Sequence, residues 1–350
     1  MGLLTNPKKA IYNKIYNKTT IAADDLIKPG AGGRDGINLP STDGLPVGVK
    51  RDPLSGEIIR SSSTALNVTS ENFIEIRTQI DRVYAVREEL QKALRSAQLK
   101  SFAASMAYWL SLVLIVGFFF KVLKETKKRE AATVETIKNE ILRTSVRLTF
   151  ADGSQLEKGW LECIDSFKVL MGSVMVWDVT YAQDVDGIKE RTVAKAATKR
   201  TRITKRADAI GFIESDLPPL AIPNANGPDV FVYPGFLILF KNHKELGIFD
   251  LKEIEIDLKF TGYIEEEAIP GDAEVVGHTW KKANKDGSMD KRFKGNYQIP
   301  ILRYGLLELK SQTGLQESYM FSGSEAFLGF KEAFEQYLKI LSGSRARSRG

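Results

Sequence analysis

Two aspartates and a lysine come closest to a catalytic set in this chain. Asp229, which follows Pro228, and the pair Asp257 and Lys259, which flank Leu258, are the residue types of a metal-dependent phosphodiesterase site. In such a site carboxylates hold magnesium and a lysine supports the attacking water. Glu308-Leu309-Lys310 repeats the second half of the pattern. A plainer origin fits better. In the run KEIEIDLKF the charged residues Glu253, Glu255, Asp257 and Lys259 alternate with Ile254, Ile256, Leu258 and Phe260, as in any strand with one wet face.

Other chemistries have less support. His243 and His278 are the only histidines, and neither has a nucleophile beside it in sequence. Cys163 is the single cysteine, so the chain forms no internal disulfide and has no zinc-ligand spacing. Glycine patterns of the P-loop or dinucleotide type are absent. The expectation is a non-enzymatic protein with no cofactor and no resident metal.

The strongest electrostatic feature is RTVAKAATKRTRITKR, in which Arg191, Lys195, Lys199, Arg200, Arg202, Lys205 and Arg206 occur with no acid among them. Near an anionic membrane each such residue contributes about 1 kcal/mol. On a sheet edge the same residues would discourage sheet-to-sheet aggregation. Few aromatics interleave with them, which disfavours base stacking and points to anionic lipid rather than nucleic acid. The formal charge of the whole chain is only +6, so the excess is local.

The elements that would carry these residues follow in chain order. Residues 1–69 are rich in Gly, Pro, Ser and charge and read as a mostly disordered tail without the layout of a signal peptide. Over 70–101, Phe73, Ile76, Ile80, Val83, Leu90 and Leu94 recur at spacings of three and four once Arg87 is accepted as a polar member. That seam predicts a coiled-coil-like helix and a homo-oligomer. Residues 102–123 carry no charge before Lys121, and as one helix they would rise about 33 Å, enough for a hydrocarbon core of about 30 Å. This predicts a single transmembrane helix, with Ala103, Ala104, Ser105, Ala107, Ser111 and Gly117 letting neighbouring helices approach. Lys121, Lys124, Lys127, Lys128 and Arg129 follow the span, which places the C-terminal domain in the cytoplasm by the positive-inside rule.

After a juxtamembrane helix over 124–143, a β-rich subdomain is expected over 144–217, with turns at Asp152-Gly153 and Asp186-Gly187. A Pro-rich connector over 218–228 leads to further strands over 229–341, and 342–350 reads as a basic tail. The last element is a helix with a capping box at Ser322 and Glu325 and one face made of Phe327, Phe330, Phe334, Tyr337, Leu338 and Leu341. The fold class is therefore a transmembrane helix preceded by a coiled-coil-like helix and followed by a mainly antiparallel β (α+β) domain closed by an amphipathic helix.

Several antiparallel strands closed by one helix resemble the pleckstrin-homology-like architecture in element order. More locally, residues 273–322 resemble a segment that recurs in uncharacterised bacterial proteins, through Gly277, Trp280, Asn284, Lys285, Asp286, Gly287, Asp290, Arg292, Phe293, Pro300, Tyr304 and Gly305. That resemblance implies a bacterial origin, hence the inner membrane, and attaches no activity. Read alone, the stretch is a polar loop between two strands held by Trp280 and Phe293. The function expected is a membrane-anchored oligomer whose soluble domain binds a protein or anionic lipid. A membrane-tethered hydrolase or nuclease and a pore-forming effector are the alternatives.

Overall fold

The computed structural model describes residues 20–22, 49–51, 58–60, 66 and 68–347, apart from 114–119, 151–154, 185–195, 205–206, 208, 226, 243 and 285. The strands are β1 (Thr20–Ala22), β2 (Val49–Arg51), β3 (Ile58–Arg60), β4 (Val146–Thr149), β5 (Val176–Asp184), β6 (Ala196–Arg202), β7 (Ile213–Ser215) and β8 (Leu220–Ile222). They continue with β9 (Asp229–Tyr233), β10 (Phe236–Phe240), β11 (Leu246–Asp250), β12 (Ile254–Ile264), β13 (Glu274–Trp280), β14 (Gln298–Ser311) and β15 (Gln316–Phe321). The helices are α1 (Ile74–Val113), α2 (Phe120–Arg143), α3 (Gln155–Met171) and α4 (Ser324–Arg347). A long helix, mainly antiparallel sheets and a closing C-terminal helix thus follow one another as expected. Three short strands fall inside the tail expected to be disordered, and α4 runs into the expected basic tail.

The chain divides into two compact units. The first is a helical hairpin with a small parallel sheet of order β1-β4-β7. Helices α1 and α2 pack side by side and antiparallel, since Arg87 on α1 reaches the carbonyls of Ile141 and Thr144 past the end of α2, at 2.8 and 2.7 Å. The Ile141 carbonyl also accepts from the Thr144 amide at 3.2 Å, and a cation suits that end of the helix dipole. Arg87 therefore has a reason to interrupt the apolar seam. Ile76, Ile80, Val83 and Ala97 are buried within one chain, and Leu90 and Leu94 half-buried. The first half of the seam expected to hold a second chain is covered within the chain, because a heptad stripe specifies a buried face and not whose atoms bury it.

The second unit is β-rich. One sheet runs β12-β14-β15-β5-β3-β2, with β13 also on β14 and β6 also on β5, and another runs β11-β10-β9-β8. The turn between β9 and β10 is Pro234-Gly235, where Pro presets φ and Gly235 takes φ 95°. Both sheets and two helices share a core, with Trp160, Cys163 and Phe167 of α3 beside Phe330, Phe334 and Tyr337 of α4. Trp160 meets Tyr337 edge-on at 5.0 Å, and Phe167 meets Phe330 at 5.5 Å. The Trp160 indole donates to the Pro218 carbonyl at 2.9 Å, so its one polar group is satisfied.

Helix α3 corrects the β-rich expectation for 144–217. The turn expected at Asp152-Gly153 lies outside the described residues, but the next element is α3 and β4 pairs in parallel with β7, so no hairpin follows β4. The turn expected at Asp186-Gly187 also lies outside them. The stretch expected as a connector contributes β8 to a sheet, so 150–209 and 217–350 form one unit with 23–73. At the start of α4, Ser322 does not cap the helix. Its hydroxyl accepts from the Met175 amide at 2.9 Å and donates to the Met175 carbonyl at 3.1 Å, tying β15 to β5. The aromatic face of α4 is as expected, with Phe327, Phe330, Phe334, Tyr337 and Leu341 buried.

Cys163 gives a direct check of the α3–α4 packing. Its thiol is fully buried, donates to the Ala333 carbonyl at 3.3 Å, and is pushed up to about 12 by burial and, second, by Glu162. Native protein should leave it unreacted with a thiol reagent at about pH 8, where an exposed cysteine is partly thiolate. Unfolding should release one thiol per chain. Full reaction of the native protein would mean that the two helices do not pack as described.

Candidate functional site

The first candidate surface is the far end of the helical hairpin. Of residues 102–123, α1 is described to Val113, α2 begins at Phe120, and 114–119 lie outside the described residues. On a straight helix Tyr108 and Lys127 would be about 28 Å apart. Instead the Lys127 ammonium sits 4.8 Å from the Tyr108 ring centre and 5.4 Å from that of Trp109. Among the described residues no helix is long and apolar enough to cross a membrane. One straight helix over 102–123 does not fit the return of Lys127 to Tyr108, and residues 114–119 of the expected span lie outside the described residues.

Small residues explain the close packing of the pair. Ala97, Ala104 and Ser111 recur at helical spacing on the side of α1 that also carries Tyr108, which meets α2 through Lys127, and Ala97 and Ser111 are buried. Of the other small residues expected to meet a neighbouring helix, Ala103 is exposed and Gly117 lies outside the described residues. On α1 a second stripe faces solvent: Leu99 is 71% exposed, Phe102 66% and Trp109 59%, with Met106 and Leu110 also exposed. Val122 on α2 is also exposed, as are Lys100 on α1 and Lys121, Lys124 and Lys128 on α2. A row of large apolar side chains in water is unusual on a monomer and marks an interaction surface.

The second candidate is the basic stretch. Arg191, Lys195, Lys205 and Arg206 lie outside the residues whose side chains are described. Lys199 and Arg202 are exposed on β6, which pairs only with β5 among the described strands. Arg200 is not on the surface. Its guanidinium, 7% exposed, binds both oxygens of Glu265, 1% exposed, at 2.8 and 2.7 Å. It lies 4.1 Å from the ring centres of both Trp177 and Tyr263. Tyr304 donates its hydroxyl to the same carboxylate at 2.7 Å. Burial is the largest single effect and works against the charge on Arg200, but the hydrogen bond to Glu265 together with the charge of Glu265 and the neighbouring Tyr263 and Tyr304 outweighs it, so its pKa is raised. Arg200 therefore leaves the expected anion-binding set. Alternation along β6 turns it inward while Lys199 faces out, and seven bases in a row say nothing about that.

The acidic candidates are not brought together as a site. Asp257 and Lys259 sit on β12 and Glu308 on the neighbouring β14, and Lys259 donates to Asp257 at 2.5 Å and to Glu308 at 2.6 Å. Those hydrogen bonds, to Asp257 first and Glu308 second, raise the pKa of Lys259, which holds it as a cation and makes it no base. Asp229 lies on β9 in the other sheet, where its carboxylate accepts from the Asn224 amide at 2.8 Å and shapes the turn before the strand. Among the described residues no cluster of three or more His, Cys, Asp or Glu side chains is placed to hold a metal ion. The alternation of KEIEIDLKF is what it resembled, a strand with one wet face.

The loop between β13 and β14 is closed by its own polar groups. Asn284 accepts from the Gly287 amide at 2.9 Å through its carbonyl, and Gly287 takes φ 81°. Asp290, buried, binds Arg292 at 2.9 and 2.7 Å, and the Asn296 amide donates to the Lys282 carbonyl at 2.7 Å. Phe293, expected to help hold this loop, is exposed. Comparison with protein-family models, with curated proteins and with solved structures gives no match for this chain.

Proposed function

We propose that this chain is a non-enzymatic membrane-attached binding protein, held to the bilayer by the apolar end of its helical hairpin, with the β-rich unit as the binding module. The observation that carries this reading is the outward stripe of Leu99, Phe102, Met106, Trp109 and Leu110 on a helix that packs antiparallel against the next one. Lipid covers such a stripe without a protein partner, and the exposed Lys100, Lys121, Lys124 and Lys128 suit an anionic head-group layer around it. Trp109 and Tyr108 are the side chains that favour that layer. The β-rich unit supports binding rather than catalysis, since the expected acid and lysine are a surface ladder in which Lys259 is tied to Asp257 and Glu308. A bacterial inner membrane and a cytoplasmic β unit remain part of the proposal.

A hairpin attachment differs from a crossing helix in a way that can be read directly. Both ends of an antiparallel pair emerge on one side, so residues before α1 and after α2 share a compartment. In a Cys163→Ser background, single cysteines introduced in the N-terminal tail and near the C-terminus should both react with an impermeant reagent from the same side of sealed vesicles. Labelling from opposite sides would restore a single crossing helix. Trp109→Glu with Leu110→Asp places two charges in the stripe, each costing about 2.5–3.5 kcal/mol at the depth of a bilayer centre and less near its surface. The variant should move to the soluble fraction. Native protein found there without detergent would end the membrane reading altogether.

A further inference from the structure

We propose that the cleft between the end of α3 and the strands β6 and β8 binds a long-chain amphiphile with an anionic head, a fatty-acid carboxylate being the simplest. The proposal rests on reading the β-rich unit as a binding module and does not depend on how the hairpin meets the membrane. The cleft encloses about 670 Å³, within the range of small-molecule sites. Its apolar lining comes from Ile164, Phe167 and Met171 on successive turns of α3, together with Val176 and Ile203. These are aliphatic and aromatic surfaces with no hydrogen-bonding demand, which suits a hydrocarbon chain.

Charge decides the other end of the ligand. Arg202 lines the cleft at the end of β6, is exposed, and has no carboxylate partner among the described residues. Lys168 lines it from α3, and its pair is Asp165 on its own helix at 2.9 Å, with both side chains mostly in solvent. Such a pair is held weakly and gives way to a better anion. Two cations beside an apolar cleft, with no acid among the described residues that line it, complement a single negative head group.

An extended peptide would be the other occupant of a cleft beside two strand edges, and the backbone argues against it. β6 and β8 each have one neighbour among the described strands, but Pro218, Pro219 and Pro223 flank β8 and line the cleft. Proline has no N–H, so the β8 edge offers strand addition no donors beyond its three residues. What remains to a ligand is apolar contact and charge.

The test uses the full chain in its membranes and a palmitate probe with a diazirine near the end of its chain, with the sites of photolabelling mapped by mass spectrometry. Label is expected on peptides that contain Phe167, Met171 or Ile203. Arg202→Glu and Lys168→Glu, both exposed positions, should each weaken that labelling about tenfold, the effect of losing one charge-assisted contact. The methyl ester of the probe should label the cleft equally weakly. Retained protection of Cys163 confirms that each variant is folded. Label confined to 102–127 would overturn the cleft proposal and leave membrane attachment standing. Equal labelling by acid and ester, or displacement of the probe by an acidic extended peptide but not by excess palmitate, would overturn it in favour of a neutral ligand or a protein partner.

Discussion

Replacing Arg200 by Met is expected to lower the stability of the β-rich unit by about 3–5 kcal/mol, the cost of leaving one charge of a buried pair without its partner. Glu265 is buried at 1% exposure and takes both of its strongest hydrogen bonds from Arg200 and Tyr304. Without the guanidinium it keeps the Tyr304 hydroxyl and the Glu267 amide, which donates to it at 3.1 Å, and has no opposite charge. The loss exceeds the pair itself, because Arg200 also lies between the faces of Trp177 and Tyr263. Methionine fills similar apolar space, so the variant isolates the charge. Urea unfolding followed by tryptophan fluorescence measures the loss. Arg200→Met with Glu265→Gln should recover a large part of it, since both charges are then gone. A single variant as stable as the native protein would mean that Arg200 faces solvent and belongs to the anion-binding set after all.

Gly305→Ala should be nearly as damaging for a different reason. A Cβ built on Gly305 falls 2.1 Å from Cγ and 2.2 Å from Cδ2 of Phe327, so either β14 or α4 must move. The ring has little room to yield. Phe327 is fully buried, with Phe260 at 5.3 Å and Phe321 at 6.0 Å between ring centres. Overpacking of this kind costs about 1–3 kcal/mol, and a gripped ring puts it at the upper end. Gly305 pairs with Phe260 on β12 and Phe321 on β15, so the glycine lies in the middle of the sheet under the closing helix. Shortening the obstacle by Phe327→Leu in the Gly305→Ala background should restore part of the loss, whereas Phe327→Leu alone should cost stability. If Gly305→Ala melts with the native protein, α4 does not cover β14 at this point.

Periodicity was the part of the fold that the amino-acid sequence by itself determined. The 3.6-residue period of Phe327, Phe330, Phe334, Tyr337 and Leu341 specified α4 and its buried face, and the same signal specified α1 through Phe73, Ile76, Ile80 and Val83. Period two specified β12 and, through Met175, Trp177 and Val179, β5. Helix α3 is equally legible in Trp160, Cys163, Ile164, Phe167 and Leu170, which recur at helical spacing between two alternating stretches. These patterns survive into the structure because backbone geometry fixes which residues share a side, whatever lies opposite.

What lies opposite was decided only by tertiary structure. The stripe at Ile76, Ile80 and Val83 is covered by its own chain, since a sequence records that a face is apolar and not what meets it. The apolar run 102–123 met the length requirement of a crossing helix, yet Lys127 returns to Tyr108, because hydropathy carries no information about chain direction. Seven basic residues read as one patch until alternation along β6 turned Arg200 into an aromatic and carboxylate pocket built from β5, β14 and the residues around the end of β12. Asp229 and Asp257 share a residue type but sit in different sheets with different partners, and their separation depends on strand order. The cleft beside α3 depends on it too, since Arg202, Lys168 and Pro223 meet only once both sheets are packed against the helix.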